Sequence, residues 1–256
     1  MQRLQDRVVM VTGASAGIGE ACARAFACEG ARLVVAARRE GRLRSLAVEL
    51  EALGSPAVRV IGLDVRDADA VRAAFEDLSS GWREVEVLVN NAGLSRGLDK
   101  LHEGKRLDWE EMIETNVKGL LYVDRQVVPW MVARGRGTVV HVGSVAGRQV
   151  YPGGNVYCAT KFAVRGLTEG LRIDLLGTGV RVCSIDPGLV DTEFAHVRFR
   201  DDHDRARATY RGMVPLRAED VAEAVVFAAT RPDHVQIAEL LLLPTDQATT
   251  TLVHRR

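Results

Sequence analysis

Tyr157 and Lys161 stand four residues apart in Tyr157-Cys158-Ala159-Thr160-Lys161. In a helix that spacing puts both side chains on one face. A free phenol has a pKa of about 10 and is a poor acid at neutral pH. A lysine ammonium one turn away favours the phenolate and brings the group closer to the range of acid–base catalysis. Ser144, in Gly143-Ser144-Val145-Ala146-Gly147, directly follows an apolar, strand-like run over 138–142. A hydroxyl there can polarise a carbonyl while Tyr157 passes it a proton. Tyr-x-x-x-Lys alone occurs by chance on many surface helices, so the reading depends on what surrounds it.

Near the N-terminus a short β-branched run, 7–11, leads into Thr12-Gly13-Ala14-Ser15-Ala16-Gly17-Ile18-Gly19 and then an alanine-rich helical stretch, 18–28. Strand, glycine turn and helix in that order form the context of a dinucleotide fingerprint. Glycines let the backbone approach a pyrophosphate, and the helix N-terminus offers free N–H groups and a favourable dipole. The second strand, 32–37, ends at Ala37, followed by Arg38 and Arg39. An acid at this place binds the ribose 2′-OH of NAD. Here there is none, and guanidinium groups suit a 2′-phosphate, so the expected cofactor is NADP(H).

The elements that must position these groups follow by pattern. The stretch 40–53 reads as a helix with Leu43, Leu46, Leu50 and Leu53 on one stripe. A third strand, 58–63, ends at Asp64-Val65, and a helix covers 68–78. A fourth strand, 85–89, runs into Asn90-Asn91-Ala92-Gly93. A long helix over 108–133 is expected to be capped by Asp108, with Glu111 at capping-box spacing, and carries Asn116. After the fifth strand, 138–142, come a helix over 155–176, a strand over 181–186, a helix over 218–229 and a strand over 239–243. The charged, poorly periodic stretch 193–213 reads as a substrate lid. No repeat or linker interrupts the alternation, which gives one α/β domain over 1–256, a parallel sheet covered on both faces.

The formal net charge is zero, which gives no reason to expect a nucleic-acid or membrane-surface partner. Apolar runs are strand-length, too short to span a bilayer, and 1–6 is too short and polar for a signal peptide. Cys22, Cys28, Cys158 and Cys183 lack metal or redox spacing and read as small buried thiols of a reducing, cytoplasmic protein. Asp201-Asp202-His203-Asp204 reads as a solvated loop, and no metal is expected.

Taken in order, the glycine turn, Asn90-Asn91-Ala92-Gly93, Asn116, Ser144, Tyr157, Lys161 and Pro187-Gly188 resemble the short-chain dehydrogenases/reductases over nearly the whole chain. The resemblance implies a single-domain Rossmann fold, a doubly wound seven-stranded parallel sheet. It implies a carbonyl/alcohol oxidoreductase with Asn116, Ser144, Tyr157 and Lys161 as the catalytic set, Asn116 kinking its helix and completing a proton path. Cofactor contacts are implied for Gly13, Ser15, Ala16, Gly17, Ile18 and Gly19, for Arg38 and Arg39, and for Asp64 and Val65. They are implied also for Asn90, Ala92 and Gly93, for Tyr157 and Lys161, and for Pro187, Gly188, Val190 and Thr192. Leu120, Leu121, Val127, Phe162 and Leu167 are apolar beyond one helical stripe, and the family pairs these two helices across a two-fold axis, implying a homotetramer.

Within the family, Pro187-Gly188-Leu189-Val190-x-Thr192-Glu193-Phe194, Val197-Arg198-Phe199, Pro244-Thr245-Asp246-Gln247 and Val253-His254-Arg255 are similar to the branch with bacterial NADP-dependent 3-hydroxy acid dehydrogenases. That implies a short 3-hydroxy acid, or the matching 3-oxo acid or aldehyde, as substrate. A broad ketone or aldehyde reductase shares these motifs, and a non-catalytic NADP-sensing protein shares the fold. Asp191 stands where the branch often has glycine, which puts an acid near the nicotinamide. A substrate carboxylate would need a cation, and Arg96, Arg148, Arg198 and Arg200 border the expected site. Arg148 ranks first because it follows Ser144 closely, and Arg198 second.

Overall fold

Seven runs rich in valine, isoleucine and leucine form strands, and the longer amphipathic segments between them return the chain as helices. The computed structural model describes residues 4–200 and 202–256. The strands are β1 (Val8–Thr12), β2 (Arg32–Ala37), β3 (Val58–Gly62), β4 (Val85–Asn90), β5 (Gly137–Val142), β6 (Val180–Pro187) and β7 (Glu239–Leu242). They make one seven-stranded parallel sheet in the order β3-β2-β1-β4-β5-β6-β7. Burial follows that order. The central β1 and β5 are buried at every residue, as parallel strands covered on both faces must be, while the edge strands β3 and β7 are half open. The order reverses direction between β1 and β4, and the carboxyl ends of the strands on either side of that point open into a crevice.

The covering helices are α1 (Gly17–Cys28), α2 (Glu40–Ala52), α3 (Ala68–Glu76), the single turn α4 (Ser80–Arg83), α5 (Arg106–Ile113), α6 (Leu120–Arg134), α7 (Asn155–Asp174), the short α8 (Phe194–Arg198) and α9 (His203–Ala208), and α10 (Ala218–Ala229). On α2, Leu43, Leu46 and Leu50 are buried as their spacing requires, but Leu53 lies past the helix end and is exposed. The thiols of Cys22, Cys158 and Cys183 are buried, whereas Cys28 at the end of α1 is exposed.

The helix expected over 108–133 divides. A wide π-helical turn, Glu114–Gly119, separates α5 from α6. Its inserted residue swings Asn116 inward, where Nδ2 donates to the Leu94 carbonyl at 2.8 Å and Oδ1 accepts the Leu94 N–H at 2.8 Å. Such single π turns bend a helix at a definite place. Asp108 does not cap this helix. The extended Lys105 precedes it, Asp108 is buried and paired with Arg200, and Glu111 takes Arg96 at 2.7 and 3.0 Å instead of closing a capping box. The stretch expected to be irregular over 193–213 contains α8 and α9, and Ala195, Phe199 and Ala206 form a small separate core there, while Phe194 and Val197 pack against the cluster around Tyr157.

Candidate active site

The carboxyl ends of β1 to β6 open onto one cavity of about 620 Å³, within the range of small-molecule and cofactor sites. At one end lie the glycine turn and Arg38, at the other Ser144, Tyr157 and Lys161. The glycine turn is held from below. The Thr12 hydroxyl accepts the N–H groups of Asn91 and Ala92 at 3.0 and 3.1 Å and donates to Asn90 Oδ1 at 3.2 Å. Gly13 has φ +66°, and a side chain there would strike Asn91 and Ala92. At Gly19 a Cβ would lie 2.4 Å from the Gly13 carbonyl, so this glycine allows the turn to close and does not itself face the cavity. Ala16 gives α1 no side-chain cap, which leaves the first N–H groups of the helix open toward the cavity beside Gly17 and Ile18. Crowded glycines below and free amides above suit a diphosphate.

Arg39 is held in place by Ser15 at 3.1 Å and by Glu193 at 2.7 Å, and Glu193 also takes Arg42. Arg38 lines the cavity and its guanidinium, among the described residues, makes no hydrogen bond or ion pair. Asp64 accepts Arg66, which holds its carboxyl below the usual range, and with Val65 it walls the same end. Of the expected contacts after β4, Ala92 and Gly93 face the cavity but Asn90 does not. Asn90 donates to the Leu120 carbonyl and to Asp124 Oδ1 at 3.0 and 3.1 Å, deep in the sheet. Its neighbour Asn91 takes the cavity side, because successive strand residues point to opposite faces. Pro187, Gly188, Val190 and Thr192 line the opposite wall. Gln247 braces that loop by accepting the Leu189 N–H at 2.8 Å. Asp191 points out to solvent, its N–H bound by the Leu216 carbonyl, and is absent from the cavity wall.

At the reacting end, β5 delivers Ser144, and α7 delivers Tyr157 and Lys161 on one face. The Ser144 hydroxyl accepts the Ala146 N–H at 3.0 Å and lies within hydrogen-bond reach of the Tyr157 phenol. Lys161 is 8 % exposed and donates to the Val142 carbonyl at 2.8 Å. Burial brings its ammonium down from 10.5 to about 8, opposed in part by Asp186. Asn116 stands next to it through Thr160, whose hydroxyl accepts Asn116 Nδ2 at 3.0 Å. Burial pushes the Tyr157 phenol up. The cation that opposes this shift is Arg198 of α8, followed by the Ser144 hydrogen bond. The spacing pointed to Lys161 for that role.

The four arginines separate cleanly. Arg96 is committed to Glu111, and Arg200 to Asp108. Arg148, expected first among them, turns away from the cavity and pairs with Asp186 at 2.7 Å and with Glu239. Its chain direction out of the short turn after Ser144 carries it under β6, a consequence of packing that sequence proximity does not reveal. Arg198 lines the cavity, 5.2 Å from the Tyr157 and Phe194 ring centroids and 5.7 Å from that of Tyr151. Its Nη2 donates to the Tyr151 hydroxyl at 2.8 Å. Its Nε is buried without a partner, and no carboxylate pairs with it among the described residues. Tyr151 was not singled out in the sequence, and Phe194 stood there only in the branch motif, without a place in the site. Their signal was an aromatic shortly after Ser144 and another beside Thr192, neither of which spacing can tell from core.

The sequence model of the family described as short chain dehydrogenase matches residues 7–203. The chain belongs to that family, and it is an oxidoreductase. It is 46% identical over 250 residues to the NADP-dependent 3-hydroxy acid dehydrogenase YdfG of Salmonella typhi, covering 97% of this chain and 99% of that protein. It is 46% identical over 244 residues to sulfoacetaldehyde reductase 2 of Chromohalobacter salexigens, covering 94% and 95%. Among solved structures, the closed form of serine dehydrogenase complexed with NADP+ superposes with a TM-score of 0.91 at 45% identity, covering 97% of this chain and all of that one. As a member of the short-chain dehydrogenase family the chain has the family's seven-stranded parallel sheet. No described helix is long and apolar enough to cross a membrane, and no group of three metal-ligating side chains exists among the described residues. Asp201 lies outside the described residues.

Proposed function

We propose that this oxidoreductase uses NADP(H) and acts on a short 3-hydroxy acid, or in the reverse direction on the matching 3-oxo acid or aldehyde. The relatives named above support the cofactor and the class of substrate. Bound NADP supplies or accepts the hydride. The glycine turn, the open end of α1 and Thr192 would hold its diphosphate, and Arg38 its 2′-phosphate. Ser144 holds the substrate oxygen, Tyr157 gives or takes the proton at its hydroxyl, and Lys161 with Asn116 continues the proton path toward solvent. Stretch 193–213, with α8 and α9, is the lid. The active form is a homotetramer, and the buried thiols of Cys22, Cys158 and Cys183 fit a reducing cytoplasm.

The observation that carries the substrate class is Arg198. A guanidinium enclosed by three aromatic rings, with a buried unpartnered N–H and no carboxylate among the described residues, is costly unless an anion arrives. A substrate carboxylate answers that need and orients the reacting carbon at Tyr157. The test is kcat/KM for 3-hydroxypropanoate against its methyl ester. The acid is preferred by the wild type, and Arg198→Ala removes roughly 1.5–3 kcal/mol of that preference. Equal turnover of ester and acid by the wild type would replace this reading with that of a broad ketone and aldehyde reductase. Tyr157→Phe, folded and still binding NADP, loses nearly all turnover of both compounds.

A further inference from the structure

Tyr157 is faced from every side by identifiable groups. Lys161 and Cys158 lie on its own helix, Ser144 comes from the end of β5, Tyr151 from the loop before α7, and Phe194 and Arg198 from α8. Only two of these are cations. Lys161 belongs to the fixed scaffold, with its ammonium on the Val142 carbonyl. Arg198 belongs to the segment 193–213, whose links to the body include Arg96 to the Val197 carbonyl, Gly97 N–H to the Arg198 carbonyl, Arg39 with Arg42 to Glu193, Arg200 to Asp108 and the Tyr210 hydroxyl to the Val190 carbonyl. The charge over the Tyr157 ring is therefore carried by an element outside the helix that holds Tyr157 and Lys161, and it is a charge that an anionic ligand neutralises.

We propose that Arg198 is a tuning residue as well as a substrate contact: seated over Tyr157 it makes the phenol more acidic, and a substrate anion bound to it reverses that effect. The two roles have opposite consequences for the proton. With α8 in place and no anion, the guanidinium favours the phenolate, the base that alcohol oxidation needs. With a carboxylate on Nε the net charge beside the ring falls to zero, and the phenol keeps its proton, the form that carbonyl reduction needs. An anionic and a neutral substrate therefore meet a Tyr157 of different acidity in the same protein. The proposal rests on the dehydrogenase reading for its catalytic consequence, but its electrostatic core is a property of the chain alone.

The first measurement uses no cofactor. Phenolate absorbance is titrated for the wild type and for Arg198→Ala, each against its own Tyr157→Phe background, so that the difference reports Tyr157. In Arg198→Ala the Tyr157 step moves to higher pH by about one pH unit, and Arg198→Lys, which restores the charge, moves it most of the way back. Addition of 3-hydroxypropanoate raises the wild-type step and leaves that of Arg198→Ala unchanged, while the methyl ester moves neither. The second measurement is the pH profile of NADP-linked oxidation of the neutral methyl ester. Its rate rises with pH as Tyr157 deprotonates, and in Arg198→Ala that rise is displaced upward by about one pH unit. A Tyr157 step at the same pH in wild type and Arg198→Ala, with both variants folded by circular dichroism, overturns the proposal even if Arg198→Ala loses its preference for the acid. Conversely, a displaced step with no acid preference in the wild type keeps the tuning role and removes the 3-hydroxy-acid reading.

Discussion

Single residues of this site are placed where their ordinary chemistry is altered by burial. Lys161 shows this most clearly. Its ammonium, brought down to about 8 from 10.5, is held in the fold against its preference for water. Between those two values the unfolded chain holds a proton that the folded chain has lost, so the contribution of Lys161 to stability rises with pH. Relative to Lys161→Met, the wild type should gain about 2 kcal/mol in unfolding free energy between pH 7 and pH 9.5. Urea melts of both proteins at the two pH values give the difference, and a constant gap would mean that Lys161 keeps its ordinary affinity for the proton. Arg38 is the complementary case, a cavity-lining cation without an ion-pair partner among the described residues. Ala37→Asp with Arg38→Ile should move the kcat/KM ratio toward NAD by roughly ten- to a hundredfold, read by initial rates with the two cofactors. An unchanged ratio would place 2′-phosphate recognition elsewhere.

At the scale of elements, the site depends on polar contacts buried between strands and helices. His141 of β5 is fully buried, with Nδ1 2.8 Å from the Thr168 hydroxyl of α7 and Nε2 3.0 Å from Asp124 Oδ2 of α6. The Thr168 hydroxyl is already donating to the Val164 carbonyl, so it accepts from His141 Nδ1–H. Asp124 Oδ1 in turn holds Asn90 at the end of β4, which takes the Thr12 hydroxyl of β1. One connected set of side chains thus fixes the ends of three adjacent strands against two helices, directly beneath the glycine turn. Asp124→Ala removes the carboxylate beside His141 and one of the two acceptors of Asn90, and it should cost about 1–3 kcal/mol of stability, measured by chemical denaturation. A loss below 1 kcal/mol would mean that water or a neighbour replaces the carboxylate. The π turn at Glu114–Gly119 plays a similar part for Asn116, tying α5, the Leu94 backbone and Thr160 of α7 together.

For the whole molecule the open question is what covers its apolar outer faces. Of the residues expected to be in excess of the core, Leu120 and Val127 are buried in it, while Leu121 and Phe162 are exposed. Leu107, Ile113, Ile173 and Leu176 add exposed apolar area on α5 and α7 or just past their ends. Helices with a second apolar face generally bury it against a partner. A homotetramer is the expected state, and light scattering at micromolar concentration should return about four times the 27.9 kDa chain mass. Phe162→Glu with Leu121→Glu should reduce that mass without changing the fold. A monomeric wild type would reject the assembly.

The sequence alone determined the local devices: the strand, glycine turn and helix of β1 and α1, the one-faced pair Tyr157 and Lys161, the serine at a strand end, and Arg38 after β2. Each depends on spacings of a few residues, where helix and strand periods are fixed by backbone geometry. The alternation of these devices along the chain also determined the parallel sheet. Only the tertiary structure decided where long polar side chains go once the elements pack. It sent Arg148 under β6 to Asp186 and Glu239, Asn90 inward to Asp124, Asp191 out to solvent, and Asp108 to Arg200. It also brought Arg198, separated from Tyr157 by 41 positions of numbering, over the phenol ring. Side-chain pairing between distant segments is a minimum over all available partners, and no local pattern in the chain encodes which partner is nearest.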